Sequence, residues 1–166
     1  AIIEKGQHNR IQFHSLSILP NADLADPEYL EEYGIITVES KVVNRHGSLE
    51  ESNEDIDEYQ TLVVGNNSMP KDVWVKARAF AWITDLYYFD KTLQIPMILL
   101  KESCGLSYKD LLEEFLEGSL ESFPVLDEIK SFFLGRAKGI QAGGPEMVSS
   151  QEWMNLWRAA HEYMLI

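Results

Sequence analysis

The chain has 166 residues, 45% hydrophobic and 25% charged, which suits one globular domain or one domain with a small appendage. Its 14 basic and 27 acidic residues leave a formal charge of −13, a balance that repels phosphate backbones and argues against a nucleic-acid partner. No run approaches the roughly 18 apolar residues of a membrane span, and no basic region followed by an apolar run marks a signal peptide. Cys104 is the only cysteine, so this chain alone builds no internal disulfide, no Cys-based zinc site and no cysteine-held iron–sulfur cluster. A single cysteine suits a reducing, cytoplasmic setting.

Residues 1–20 read as extended, because RIQF alternates polar and apolar before Pro20 stops the run. ADPEYLEEYG then reads as a short helix, with Asp26 as cap, Pro27 at the first helical position and Gly34 as terminator. IITVESKVVN (35–44) and EYQTLVVG (58–65) are rich in β-branched residues, which predicts two strands able to pair antiparallel. Between them LEESNEDIDE (49–58) reads as a solvated, mobile loop; an EF-hand is excluded by its spacing and by the missing central glycine.

From Ser68 the pattern turns helical. VWVKARAFAWITDLYYFD is apolar around most of its circumference, which predicts a central buried helix. Gln94-Ile95-Pro96 interrupts it, and PMILLKESCG makes a shorter helix ending at Gly105. Ser107 caps LSYKDLLEEFLEG, with Asp110 at the capping-box position. Pro124 opens a helix through Phe132 and Phe133 whose glycine-rich far end reads as loose, and SSQEWMNLWRAAHEYMLI sets Trp153, Leu156, Trp157, Ala160 and Met164 on one face of a last helix. The fold class is therefore α+β, predominantly α: a small antiparallel β region in 1–67 followed by a helical bundle in 68–166. GxGxxG, GxxxxGK[ST] and GxSxG are all absent.

Several residues carry candidate chemistry. Gln7 to Ser15 is dense in hydrogen-bonding side chains. His8 and His14 are separated by about 20 Å of strand, too far for one shared metal. Gln12 and His14 share a face, where they either bind a polar ligand or satisfy loop backbone. Asp85 sits in the most apolar helix; it either faces inward with a partner and a raised pKa or is a polar interruption facing a groove or solvent, the more economical reading. The aromatics Trp74, Phe80, Trp82, Tyr87, Tyr88 and Phe89 suit a core, with a ligand pocket around Trp82 as the alternative. HEYML at His161 is not HExxH, and Cys104 suits a small buried hydrophobe.

The phrases GQHNRIQFHSLSILPNADLADPEYLEEYGIITVES, NRHGS and LVVGNNSMPKDVWVKARAFAWITDLYYFDKTLQIP together resemble the C-terminal part of cobalamin-dependent radical S-adenosylmethionine proteins, over residues 1 to about 118. ILPNADLADPEY looks like that family's exit from the radical barrel into a variable helical tail. The CxxxCxxC triplet that holds the family's [4Fe–4S] cluster is absent, and so is the cobalamin motif DxHxxG, since Val43 stands where the aspartate precedes His46-Gly47. The resemblance thus implies a non-catalytic piece of a longer enzyme: a last barrel strand plus a domain that shapes or closes a cavity for methyl transfer or rearrangement. It implies S-adenosylmethionine, a [4Fe–4S] cluster and cobalamin for the parent protein, with upstream domains of the same polypeptide and a small-molecule substrate as partners. Gln12, His14 and Ser15 become cofactor-facing residues, and Trp82 and Asp85 substrate-facing ones. An acidic helical interaction module and a small-ligand-binding helical protein are the alternatives from other classes.

Overall fold

The most apolar stretch of the sequence becomes the hub of the fold. A computed structural model describes residues 2–50, 56–152 and 155–165. Helix α2 spans Lys71–Thr84 and buries Trp74, Val75, Ala79, Trp82 and Ile83. It continues without a break into a π-helical turn, Asp85–Phe89, whose five side chains are all buried. The extra residue per turn rotates the chain so that neighbouring side chains all face inward, a device that recurs at functional sites.

Around this hub stand α3 (Gln94–Cys104), α4 (Tyr108–Glu117) and α5 (Pro124–Gln141). Pro96 lies in the first turn of α3, where its missing N–H costs nothing, and Gly105 ends the helix at φ +71°. Ser107 Oγ accepts the Asp110 N–H at 3.0 Å and caps α4. Replacing Ser107 with alanine is expected to cost about 1 kcal/mol, read as a lowered urea midpoint at unchanged slope. Glu4 holds a short 3₁₀ turn, Ile3–Lys5, to the same corner by accepting the Tyr108 N–H at 2.8 Å and pairing with Lys101. Helix α5 runs on through Gly135 and Gly139, beyond the loose end expected there. Burial of Phe133, Ala137 and Ile140 on one face offsets the low helix propensity of the glycines.

The β region is a three-stranded antiparallel sheet in the order β1-β3-β2, from Ser17–Ile18, Tyr59–Gly65 and Ile36–Lys41. The two expected strands pair with Val38 opposite Leu62 and Lys41 opposite Tyr59, with an irregularity at Ile36/Thr37. Leu62 and Val64 enter the same core cluster as α2 and α5. Helix α1, Pro27–Glu32, precedes β2 and is capped by Asp26, whose Oδ1 accepts the Glu28 N–H at 2.8 Å. The acidic loop expected over 49–58 lies partly outside the described residues.

Three expectations are corrected. Arg10–Phe13 belongs to no strand; only Ser17 and Ile18 join the sheet, so the polar residues before them are held by side-chain contacts instead. The region read as one terminal helix forms an antiparallel hairpin, β4 (Val148–Ser150) with β5 (Leu156–Arg158), and then a four-residue helix α6 (Ala160–Tyr163). The reason is tertiary: β5 exchanges backbone hydrogen bonds with His46 and Gly47, and Asn155 turns the chain at φ +48°. Trp153, assigned to that helix face, lies outside the described residues. Cys104 is exposed rather than buried, because α3 ends with its last turn toward solvent. Among the described residues no helix is long and apolar enough to cross a membrane.

Candidate functional site

Where the segment 10–15, helix α2 and helix α6 meet, they enclose a cavity of about 350 Å³. All five residues singled out in the sequence line it: Gln12, His14, Ser15, Trp82 and Asp85. The structure adds Arg45, Arg78, Gln60 and Glu146, which sequence reasoning passed over, and brings in Arg10 from the polar stretch and His161, noted only as outside an HExxH motif.

One wall is tied by Glu146. It accepts from Ser15 Oγ, from Gln60 Nε2 at 3.3 Å and from Arg78 Nη2 at 3.5 Å. Arg78 also donates to Phe13 O at 2.9 Å, and its guanidinium lies 4.6 Å from the centre of the Trp82 ring. Arg78 is thereby held by an ion pair, a carbonyl and a cation–π contact at once. Gln12 and His14 meet at 3.3 Å on the exposed rim. His8 lies apart from the cavity, with Nδ1 2.6 Å from the Tyr88 hydroxyl.

The floor is built from Asp85, in the π-helical turn, and His161, on α6. The Arg10 Nη2 lies 2.6 Å from His161 Nε2. Arginine only donates, so Nε2 must accept and the ring proton resides on Nδ1, leaving a neutral imidazole. Burial, reinforced by Arg10, Arg45 and Arg78, pushes the His161 pKa down to about 3. Its approaches to Asp85 (3.7 Å) and Asp90 (3.8 Å) are therefore not ion pairs.

Asp85 faces a cavity, as the groove-facing expectation had it, but is buried there and not open to solvent. Burial, then the neighbouring Asp90 carboxyl, push its pKa up to about 7 against the opposing pull of Arg10, Arg78 and Arg45. Burial likewise raises Asp90. Among the described residues, Asp85 Oδ1, His161 Nδ1, Asp90 Oδ2 and Arg78 Nε are buried without a hydrogen-bond partner. Such orphaned groups are costly unless something else meets them. Glu162 closes the outer side, accepting from Arg10 at 3.3 Å and from Arg45.

The predicted aromatic core is present: Trp74, Trp82, Tyr87, Tyr88 and Phe89 are buried and Phe80 packs beside them. Only Trp82 among the six reaches this cavity. A second hollow of about 390 Å³ presents a mostly apolar surface from Ile3, Ile11, Phe13, Phe80 and Phe89, with Glu4, Lys109 and Glu113 also among its lining residues.

The donor set does not fit an iron–sulfur cluster. The sole cysteine is exposed at the end of α3, and among the described residues no group of three or more His, Cys, Asp or Glu is placed to hold a metal ion.

No family model matches the chain. Over 165 residues, 99% of its length, it is 26% identical to the cobalamin-dependent radical SAM methyltransferase TokK of Streptomyces tokunonensis, covering 20% of that protein. Over 81 residues, 48% of its length, it is 32% identical to the 2-(S-pantetheinyl)-carbapenam-3-carboxylate methyltransferase of Streptantibioticus cattleyicolor, covering 11% of that protein. The chain thus spans a fifth or less of the length of these relatives. By sequence, this chain is a relative of the cobalamin-dependent radical S-adenosylmethionine methyltransferases.

Proposed function

We propose that the chain is the C-terminal, substrate-shaping domain of a cobalamin-dependent radical S-adenosylmethionine methyltransferase and closes one side of its reaction cavity. The observation that carries this reading is the alignment of 99% of the chain with a fifth of a longer methyltransferase. The cavity supports it, because the polar segment 12–15 and the buried Trp82–Asp85 pair, far apart in sequence, line one hollow. In this reading residues 1–67 bring the chain out of the barrel and residues 68–166 cover it. Gln12 and His14, whose polar ends are exposed on the rim, form the wall toward S-adenosylmethionine with Ser15, while Trp82 and Asp85 face the substrate.

Radical chemistry itself lies with upstream domains of the same polypeptide, since cluster ligation needs cysteines that this chain lacks. The role of the chain is then binding and exclusion of water, which hold a substrate in one orientation. Both relatives are named as methyltransferases, which favours methyl transfer over rearrangement. Sequencing the gene across the codon for Ala1 tests the reading. An upstream CxxxCxxC triplet in the same frame is expected. A start codon at that point with no triplet overturns it.

A further inference from the structure

His161 Nδ1 carries a proton, because Arg10 claims Nε2, yet Nδ1 is buried with no acceptor. Asp85 Oδ1 is buried with no partner either. His161 Nδ1 lies 3.7 Å from the other oxygen of that carboxyl, Asp85 Oδ2, too long for a hydrogen bond between them. Two donors at that separation can converge on one oxygen at ordinary hydrogen-bond lengths of about 2.8 Å. Both residues line the cavity, beside the Trp82 ring.

We propose that the Asp85 carboxyl and the His161 ring N–H form a two-donor cradle for the carbonyl oxygen of an uncharged amide group in the ligand of this cavity. The proposal rests on the reading of the cavity as a substrate wall and names the chemistry it selects.

The surrounding charges decide between ligand classes. Arg10 from the N-terminal segment is engaged by His161 and Glu162, Arg45 from the segment after β2 by Glu162, and Arg78 from α2 by Glu146 and Phe13 O. Each arginine at the cavity is already paired with a carboxylate, and of their buried nitrogens only Arg78 Nε lacks a partner among the described residues. Asp90 at the end of the π-helical turn, Glu146 before β4 and Glu162 on α6 balance the three guanidinium groups, so the cavity offers an anion no net attraction. A cation would need Asp85 ionised, whereas burial beside Asp90 holds its proton on to near neutral pH. A neutral carbonyl brings two lone pairs and no charge, which matches two buried donors.

The test uses the 166-residue chain with ¹⁵N NMR of the His161 ring nitrogens and the Trp82 indole. Acetamide, acetate and trimethylsulfonium are titrated in parallel near pH 6 and pH 8.5. Acetamide is expected to shift both residues saturably near pH 6 and to bind at least about tenfold more weakly near pH 8.5, where Asp85 has lost its proton. Asp85→Asn keeps a donor that does not titrate, so it is expected to bind acetamide equally at both pH values; Asp85→Leu is expected to bind it at neither. Silence toward acetamide near pH 6, pH-independent binding by the unmodified chain, or tighter binding of acetate or trimethylsulfonium overturns the proposal. The gene can carry its cysteine triplet whichever way this titration falls, so the two readings fail separately.

Discussion

Asp85→Asn is expected to make stability climb steeply with pH between about 4 and 6.5, by about 3 kcal/mol, where the unmodified protein stays nearly flat. The sign follows from two buried groups that pull in opposite directions. Asp85 has a folded pKa near 7 against an ordinary 3.8, so between those values the folded state binds more protons and stability falls as pH rises. His161 has a folded pKa near 3 against an ordinary 6.5, so between those values the unfolded state binds more protons and stability rises with pH. The windows overlap from about 4 to 6.5 and the two slopes largely cancel there. Asparagine removes the first and exposes the second. His161→Gln, which keeps an acceptor for Arg10, is expected to do the reverse and give stability that falls toward pH 7. Urea midpoints measured across that range for the three proteins decide the matter. Parallel profiles for the unmodified chain and Asp85→Asn would mean that Asp85 is not desolvated as the structure has it.

Trp82→Ala is expected to cost about 4 kcal/mol, the range for deleting a buried aromatic from a packed core. Trp82 is only 2% exposed, its ring centre lies 5.8 Å from that of Phe133 on α5, and Arg78 stacks on it from the cavity side. Truncation removes the Trp82–Phe133 contact between α2 and α5 and the seat of the Arg78 guanidinium together, leaving the buried Nε of Arg78 in a larger void. Trp82→Phe keeps a ring against Phe133 and is expected to lose about half as much. Denaturant unfolding separates the two, and a loss below about 1 kcal/mol for the alanine variant would show that this wall does not anchor the helices.

Much of the local structure was legible because it is set by short-range chemistry. Asp26-Pro27 and Ser107 mark helix starts that the structure reproduces with cap hydrogen bonds. The apolar circumference of 73–90 foretold the buried hub, and the β-branched runs foretold the pairing of β2 with β3. Failure came where two readings share a pattern. Leu156, Trp157, Ala160 and Met164 sit at helical spacing, yet backbone groups of His46 and Gly47, more than 100 residues earlier, draw Trp157 into a strand. RIQF alternates like a strand but finds no ladder partner, so the alternation carried no sheet.

The candidate site divides along the same line. Five of its residues were named in advance because polar density at 12–15 and a carboxylate in an apolar helix are visible in one dimension. Arg45 and Arg78 were not, and Arg10 and His161 were visible without this role. What marks them is a partner far along the chain or, for Arg78 and His161, burial, and neither is written in the local sequence. Local chemistry alone set the helical hub, the caps at Asp26 and Ser107, the paired strands and the presence of an acid where acids are costly. The cap expected from Ser68 is absent, and α2 starts after Pro70. What that acid faces depends on long-range packing, because the decisive contact joins Arg10 to His161 across 151 positions, beside the turn that carries Asp85. Whether a buried carboxyl keeps its proton depends on the burial and the charges that long-range packing assembles around it.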